Sequence, residues 1–540
     1  MKLYNLVLAV AAGAAIAASC SKIEEIAPQS GTMLATQVQE TNVIAPTRAA
    51  ASFNGMFTDL GKPAKMYSNP DDWQFLMILF CNDLECADAH IADTGFNWFS
   101  VCGELSSRNA NYRNPYIRYR APYNMIASVN TFLSGYAEDV TDPEAINMMA
   151  QARALRAYSY MMLAPNYQFN YQVAGDQPCV PIVTPDTEDF THNPRASVKE
   201  VYAAMLEDLD YAVANLEGST RASKAYIDGN VAHGLRARVY LDMGEWQKAY
   251  DDAVAAAAGY TPASIEEVSV PSFKDLSEHN WIWGYDLNQD LSAKYIYANS
   301  SAWLRSFSGD SYSCACQVYT CINKLLWDKI PASDIRKQWW VDEDLKSTLV
   351  DDLVWPGETT SVAETNIEDV KLPYVPYTNV KFGCNTIGTV INDEDSPLMR
   401  VEEMILIQAE CKYRLGDAAG AENILTDFVK TYRDPEYTYD SSRFPSFIEE
   451  IWFQRRVELW GEGFSIPDTR RLNKPLVRFI DGKESNMSPA YQFNLPADDP
   501  WLLLRFPQGE MNTNFAIVDN TGGQQPKPGQ NPGLFDGVTD

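Results

Sequence analysis

The sequence predicts a mostly α-helical protein, and three observations carry that prediction. Two helix–turn–helix patterns with the same small-residue spacing stand far apart in the chain. Apolar residues recur at helical spacing in several further stretches. Strand-like runs are short and gathered in one middle region.

The N-terminus fixes the compartment to be expected. Met1 and Lys2 precede an apolar run from Leu6 to Ala18, too short to span a bilayer but suited to a secretory signal. Ala17, Ala18 and Ser19 then lead into Cys20, which resembles the lipobox of bacterial lipoproteins. Ala17 departs from the usual leucine, with Ile16 next to it. On this reading residues 1–19 are a signal peptide and Cys20 is lipidated; the plainer alternative is an ordinary signal peptide cut nearby. Glu24 and Glu25 close behind Cys20 look like the export signal of surface lipoproteins in Bacteroidetes. Residues 20–45, with Pro28, Ser30 and Gly31 and no periodicity, read as a flexible tether. The sequence offers no later transmembrane run, so membrane contact is expected through the lipid anchor only.

The body is expected over 46–511. Helical patterns run from Arg48 to Leu60, from Tyr123 to Tyr136 (Ile126, Val129, Phe132, Leu133) and from Gln151 to Met162 (Ala154, Leu155, Tyr158, Met161). The repeated pattern centres on Gly244 and Gly416. Ala237 and Ala409 lie seven residues before their glycines, and Ala249 and Ala421 five after. Small residues let two antiparallel helices approach and glycine ends the first, half the signature of a tetratricopeptide hairpin. The glycines stand 172 positions apart, so the hairpins are no plain tandem array. Between them, at about 262–395, the runs 281–285 and 294–297 suggest short strands in a loop-rich insert, the kind of region where binding residues gather. Trp281 and Trp283 alternate on such a strand and are expected in the core. Residues 512–540 are rich in Gly, Pro, Gln and Asn, and predict an irregular tail lying loosely on the surface or disordered.

Composition excludes some functions. A net charge of −29 argues against nucleic acid and against close docking on anionic lipid. Four histidines without a His-Glu-x-x-His pattern, no Gly-x-Ser-x-Gly elbow and no phosphate loop leave no metal, nucleophile or cofactor motif. Catalytic residues, metals and cofactors are therefore all expected to be none. Carboxylates are too plentiful to exclude a glycosidase pair by counting. Nine cysteines remain after Cys20; their spacings (Cys81/Cys86, Cys314/Cys316/Cys321) make no zinc template, and they read as small buried hydrophobes with at least one unpaired thiol.

Six segments in order then resemble one family, the SusD/RagB-like nutrient-binding lipoproteins of Bacteroidetes. These are residues 152–160 with 178–184, 325–336 ending in Asp334-x-Arg336, Val380–Phe382, 397–404 with Arg400 and Glu403, 454–471 with Arg455, Arg456, Glu458, Glu462 and Asp468, and 506–510. Pro467 and a long 164–177 connection depart from the pattern. The helical spacing of Arg455, Arg456, Glu458 and Glu462 suggests ion pairs along one helix, with Asp468 meeting Arg470 or Arg471, and hence a scaffold network rather than a catalytic pair.

The resemblance implies a SusD-like fold, in which tetratricopeptide-like hairpins form a scaffold for the insert. It also implies a non-enzymatic lipoprotein on the outer membrane, facing the exterior, that delivers a ligand to a SusC-like TonB-dependent transporter. The ligand class it implies is an oligosaccharide, with peptide as the alternative; a surface glycoside hydrolase and a protein-binding scaffold are the competing classes. Sugar rings offer apolar faces to aromatics and hydroxyls to amides, carboxylates and guanidiniums. That chemistry, with the family's habit of placing a stacking aromatic early in the body, selects Asn97, Trp98, Tyr295, Tyr297, Trp303, Arg305 and Tyr312 as ligand-binding candidates. Core packing is the competing role for each aromatic.

Overall fold

The computed structural model describes residues 39, 42, 46–91, 98–106, 108–137, 139–295, 297–306, 318–350, 375–385 and 392–540. The leader, Cys20, nearly all of the tether, Asn97, Tyr312, Cys314 and Cys316 lie outside them. In chain order the main elements are α1 (Pro46–Thr58), α2 (Gln74–Leu84), β1 (Ala89–Ile91), α3 (Arg113–Ser134), α4 (Pro143–Tyr167), α5 (Val198–Leu216), α6 (Gly229–Met243) and α7 (Trp246–Ala257). There follow β2 (Trp281–Tyr285), α8 (Ser300–Leu304), β3 (Thr320–Ile322), β4 (Ser396–Arg400), α9 (Val401–Arg414), α10 (Ala418–Tyr432), α11 (Phe447–Glu458), α12 (Ser465–Arg471), β5 (Leu476–Val477) and β6 (Asn494–Leu495).

The helices start where their sequences satisfy the first free amides. Ser197 and Glu200 close a reciprocal capping box on α5, Asp228 caps α6 and Asp417 caps α10. Gly244 ends α6 in the left-handed region at φ 79°, and Gly416 takes φ 88° between α9 and α10, as the repeat predicts. Ala237, Ala249, Ala409 and Ala421 are all fully buried. The helices pack serially: α3 on α4, α4 on α5, α5 on α6, α6 on α7, α7 on α9, α9 on α10 and α11. The α7–α9 contact joins in space the two hairpins that the sequence separates.

The strands form antiparallel pairs, β1 with β3, β2 with β4 and β5 with β6. β2 is buried along its whole length, and Trp283 packs edge-on to Tyr158 of α4 at 5.0 Å, so the insert and the helical array share one apolar core. Lys294, Tyr295 and Tyr297 do not lie in a strand. Asn288 caps a short helix, Gln289–Lys294, by accepting from Leu291 N at 3.0 Å, and the chain bends after it. The C-terminal segment is irregular but not loose. Asp536 pairs with Arg456 at 2.8 Å, Asn520 Nδ2 donates to Tyr167 O and Leu504 O, and Val538 is buried.

The charged motif residues do not pair along α11. Arg455 meets Asp468 at 2.7 Å, and Arg456 meets Asp88 at 2.6 Å. Asp468 does bond Arg471, at 2.8 Å. Glu458 receives Arg336, Arg400 and Arg433, while Glu462, past the end of the helix, receives Lys381 and Arg400. Asp334 and Glu402 complete this interior set. Four cations (Arg336, Lys381, Arg400, Arg433) thus face four carboxylates (Asp334, Glu402, Glu458, Glu462), and burial is tolerable because every charge is matched and hydrogen-bonded. Lys381 carries three acceptors, Glu458 O, Trp460 O and Glu462 Oε1. The seven described cysteines are buried, in line with the reading as small hydrophobes.

Candidate ligand-binding surface

The turn before α2 is organised by Asp72, whose carboxylate accepts from Met66 N at 2.7 Å, from Tyr67 N and from Gln74 Nε2 at 2.9 Å. This holds Tyr67 at the surface, 36% exposed. Asp71, next along, binds Arg113 at the start of α3, with Nη2 to Oδ2 at 2.9 Å. Burial raises the Asp71 carboxyl above its ordinary range, and Arg113 works against that rise. The Arg113 guanidinium lies 5.1 Å from the ring centre of Trp98 and 6.0 Å from that of Tyr67. Tyr116 meets Tyr67 edge-on at 6.1 Å. Trp98 and Tyr116 are half-buried, and Tyr112 beside them is exposed.

Beneath this cluster lies its support. Phe99 is buried and packs edge-on against Trp303 at 4.8 Å and Phe80 at 5.0 Å. The Trp303 indole N–H donates to Pro70 O at 3.0 Å and to Tyr297 O at 3.1 Å. Trp303 therefore ties the Asp71 turn to the segment bearing Tyr295 and Tyr297, both half-buried.

The structure separates the sequence-selected residues into two groups. Trp98 stands in the surface cluster, with Tyr297 joined to its underside through Trp303. Trp303 and Arg305 themselves belong to the interior, a correction to their selection as ligand contacts. Trp303 has no exposed surface, because α8 turns it inward against Phe99. Arg305 donates to Asp395 O at 2.7 Å and Phe273 O at 3.2 Å and pairs with Glu394, so its charge is used within the fold. Tyr67, Asp71, Arg113 and Tyr116 were not selected. The run of Tyr and Arg opening α3 was the available signal, but nothing local says that Trp98 and Tyr67 converge on it.

The cluster offers indole and phenol rings beside a guanidinium and a carboxylate, the set a sugar needs for stacking and hydroxyl recognition. It is poorly suited to acid–base hydrolysis. Asp71 is engaged by Arg113, and Asp72 is occupied by backbone amides. Elsewhere, a cavity of about 60 Å³ by Met161, Met205 and Phe464 is far below the roughly 300 Å³ at which ligand pockets begin. A groove of about 580 Å³ runs between α1 and α3, past Arg48, Asp59, Lys65 and Ser128, and presents one aromatic face, that of Phe132.

The chain resembles known proteins of one kind along most of its length. A family model described as starch-binding associating with the outer membrane matches residues 77–241, and the SusD family model matches residues 352–522. Over these two stretches the chain is similar to the SusD family. A relative, SusD-like protein P2 of Formosa agariphila, is 29% identical over 425 residues, covering 74% of this chain and 79% of that protein. The crystal structure of a SusD-like carbohydrate binding protein from Bacteroides vulgatus has a TM-score of 0.69 at 24% identity, covering 87% of this chain and 97% of that one. A SusD superfamily protein from Bacteroides thetaiotaomicron gives 0.66 at 20% identity, covering 88% and 99%. A laminarin binding SusD-like protein gives 0.60 at 17% identity, with the same coverage. These likenesses establish the SusD fold predicted from the sequence. Among the described residues no helix is long and apolar enough to cross a membrane.

Proposed function

We propose that this SusD-like chain is a lipid-anchored surface protein that binds an oligosaccharide at the Trp98–Arg113–Tyr67 cluster. It passes the ligand unchanged to a SusC-like TonB-dependent transporter. The observation that carries the reading is the cluster itself: an indole and two phenols grouped around a guanidinium held by Asp71, and carried on a buried aromatic base. The carbohydrate and laminarin binding stated for two proteins of the same fold agrees with it. The lipobox-like approach to Cys20 supports the anchor.

The test is titration calorimetry of the mature protein with laminarin and starch oligosaccharides, beside a glycan array and a peptide panel. Binding of a glycan that Trp98→Ala abolishes, with the glycan recovered intact, is the expected result. Hydrolysis at catalytic protein concentration, or capture of peptides and no glycan, overturns it.

A further inference from the structure

Cys81 on α2 and Cys102 in the short helix Ser100–Gly103 have no exposed surface, and their Sγ atoms lie 3.6 Å apart. The amide of Asn114, from the first turn of α3, points at both sulfurs, 3.4 Å from Cys81 and 3.8 Å from Cys102. Three elements thus hold the two thiols in contact. Other described thiols meet oxygens instead: Cys86 the Thr469 hydroxyl at 3.8 Å and Cys321 that of Thr378 at 3.7 Å.

We infer that Cys81 and Cys102 form a disulfide in the exported protein, stapling the segment that bears Trp98 to α2. The inference rests on the export reading above, since only an oxidising compartment sustains a structural disulfide. Bringing the sulfurs from contact to a bond length of about 2.05 Å closes a gap of about 1.5 Å between atoms already touching.

The chemistry is thiol–disulfide exchange. One cysteine thiolate attacks the disulfide of an oxidised dithiol carrier, and the first carrier sulfur leaves as a thiol, taking up the proton. The second cysteine then attacks the mixed disulfide, forming the Cys81–Cys102 bond and releasing the second carrier thiol. Two electrons pass from the protein sulfurs to the carrier, and both thiol protons end on it. Because both sulfurs are enclosed in the finished fold, the exchange takes place while the chain is folding. The closed ring spans a sequence separation of 21 residues. Its effect falls on Trp98 and Phe99, whose placement the ligand surface needs.

The test traps cells with N-ethylmaleimide at harvest, separates membrane from soluble fractions, and maps the peptides without reductant. A linked Cys81–Cys102 peptide in the membrane fraction is the expected result. Both cysteines alkylated there, or either linked to a different cysteine, overturns the disulfide while leaving the anchor reading intact. Recovery of the chain in the cytoplasmic fraction overturns export instead. The purified chain refolded in oxidised glutathione then decides for the pair if the bond closes and against it if both thiols remain. A second readout is reducing agent, which should lower the Tm of the oxidised protein by about 2–4 °C and leave Cys102→Ser unmoved. A variant as sensitive to reductant as the parent would count against the bond.

Discussion

Glu458 accepts Nε and Nη2 of Arg433 in parallel, each at 2.8 Å, with both side chains fully enclosed. Arg336 and Arg400 share the same carboxylate, and although burial works against ionisation, the three guanidiniums hold its pKa well below the usual carboxylate range.

Neutralising that carboxylate leaves three buried guanidiniums short of one negative charge. Glu458→Gln should therefore cost about 3–5 kcal/mol, read as a lower urea midpoint with an unchanged slope. A loss under 1 kcal/mol would mean that the network is better solvated than its burial implies.

Trp98 and Trp303 should part company on substitution. Trp303→Ala empties a core site beside Phe99 and should cost about 3–5 kcal/mol in thermal or urea unfolding. Trp98→Ala should leave stability within about 1 kcal/mol and remove glycan affinity in calorimetry. The reverse pattern would relocate the binding surface.

Gly416 and Gly463 share a φ of 88°, but their surroundings differ. A Cβ at Gly416 meets open space, whereas one at Gly463 would sit 2.5 Å from Leu79 Cβ and 2.8 Å from its Cα. Gly416→Ala should cost about 1 kcal/mol, the left-handed backbone term alone. Gly463→Ala should add about 1–3 kcal/mol of overpacking. Equal losses in a urea titration would contradict the close approach.

Acid should act through His90 and Glu85 in separate windows. Burial first, then the Arg478 charge, pushes His90 down to about 4 from 6.5. The unfolded chain then binds the extra proton, so stability is full above about pH 6.5 and falls toward pH 4, by about 3 kcal/mol in all. Burial opposes ionisation of Glu85, but Arg108 and Arg118 overcome it and hold the carboxyl at about 2 against 4.5. Its contribution is present above about pH 4.5 and disappears toward pH 2. Unfolding curves from pH 7 to pH 4 should be flatter for His90→Gln than for the parent, and unchanged slopes would show His90 already charged in the fold.

The helical frame was legible in the sequence because alanine spacing states directly which faces meet. Ala237, Ala249, Ala409 and Ala421 are buried as that spacing requires. The charge network was legible as residues but not as pairs. Helical spacing puts Arg455 and Arg456 near Glu458, yet Arg455 pairs with Asp468 and Arg456 with Asp88, while Glu458 is taken by three guanidiniums from other segments. Trp303 misled because its polar neighbours look like a surface loop. Asn299 is there to cap α8, accepting from Ala302 N at 2.8 Å, and Ser301 hydrogen-bonds Glu394 in the interior. Polarity spent on buried partners and polarity facing water read alike in a sequence. The Tyr67–Arg113–Trp98 grouping depends on tertiary convergence of three segments, which local patterning does not encode.

The β2–β4 ladder pairs Trp281 with Arg400 and Tyr285 with Ser396, so the two ends of the insert stand side by side at one fixed gate on the body. Lengthening a segment whose ends are already clamped costs little, only about 0.6 kcal/mol for each doubling. Such a gate lets an evolving lineage vary the stretches between the insert's interior anchors, Trp303, Arg336 and Lys381 among them, while the helical array that adjoins it keeps its register.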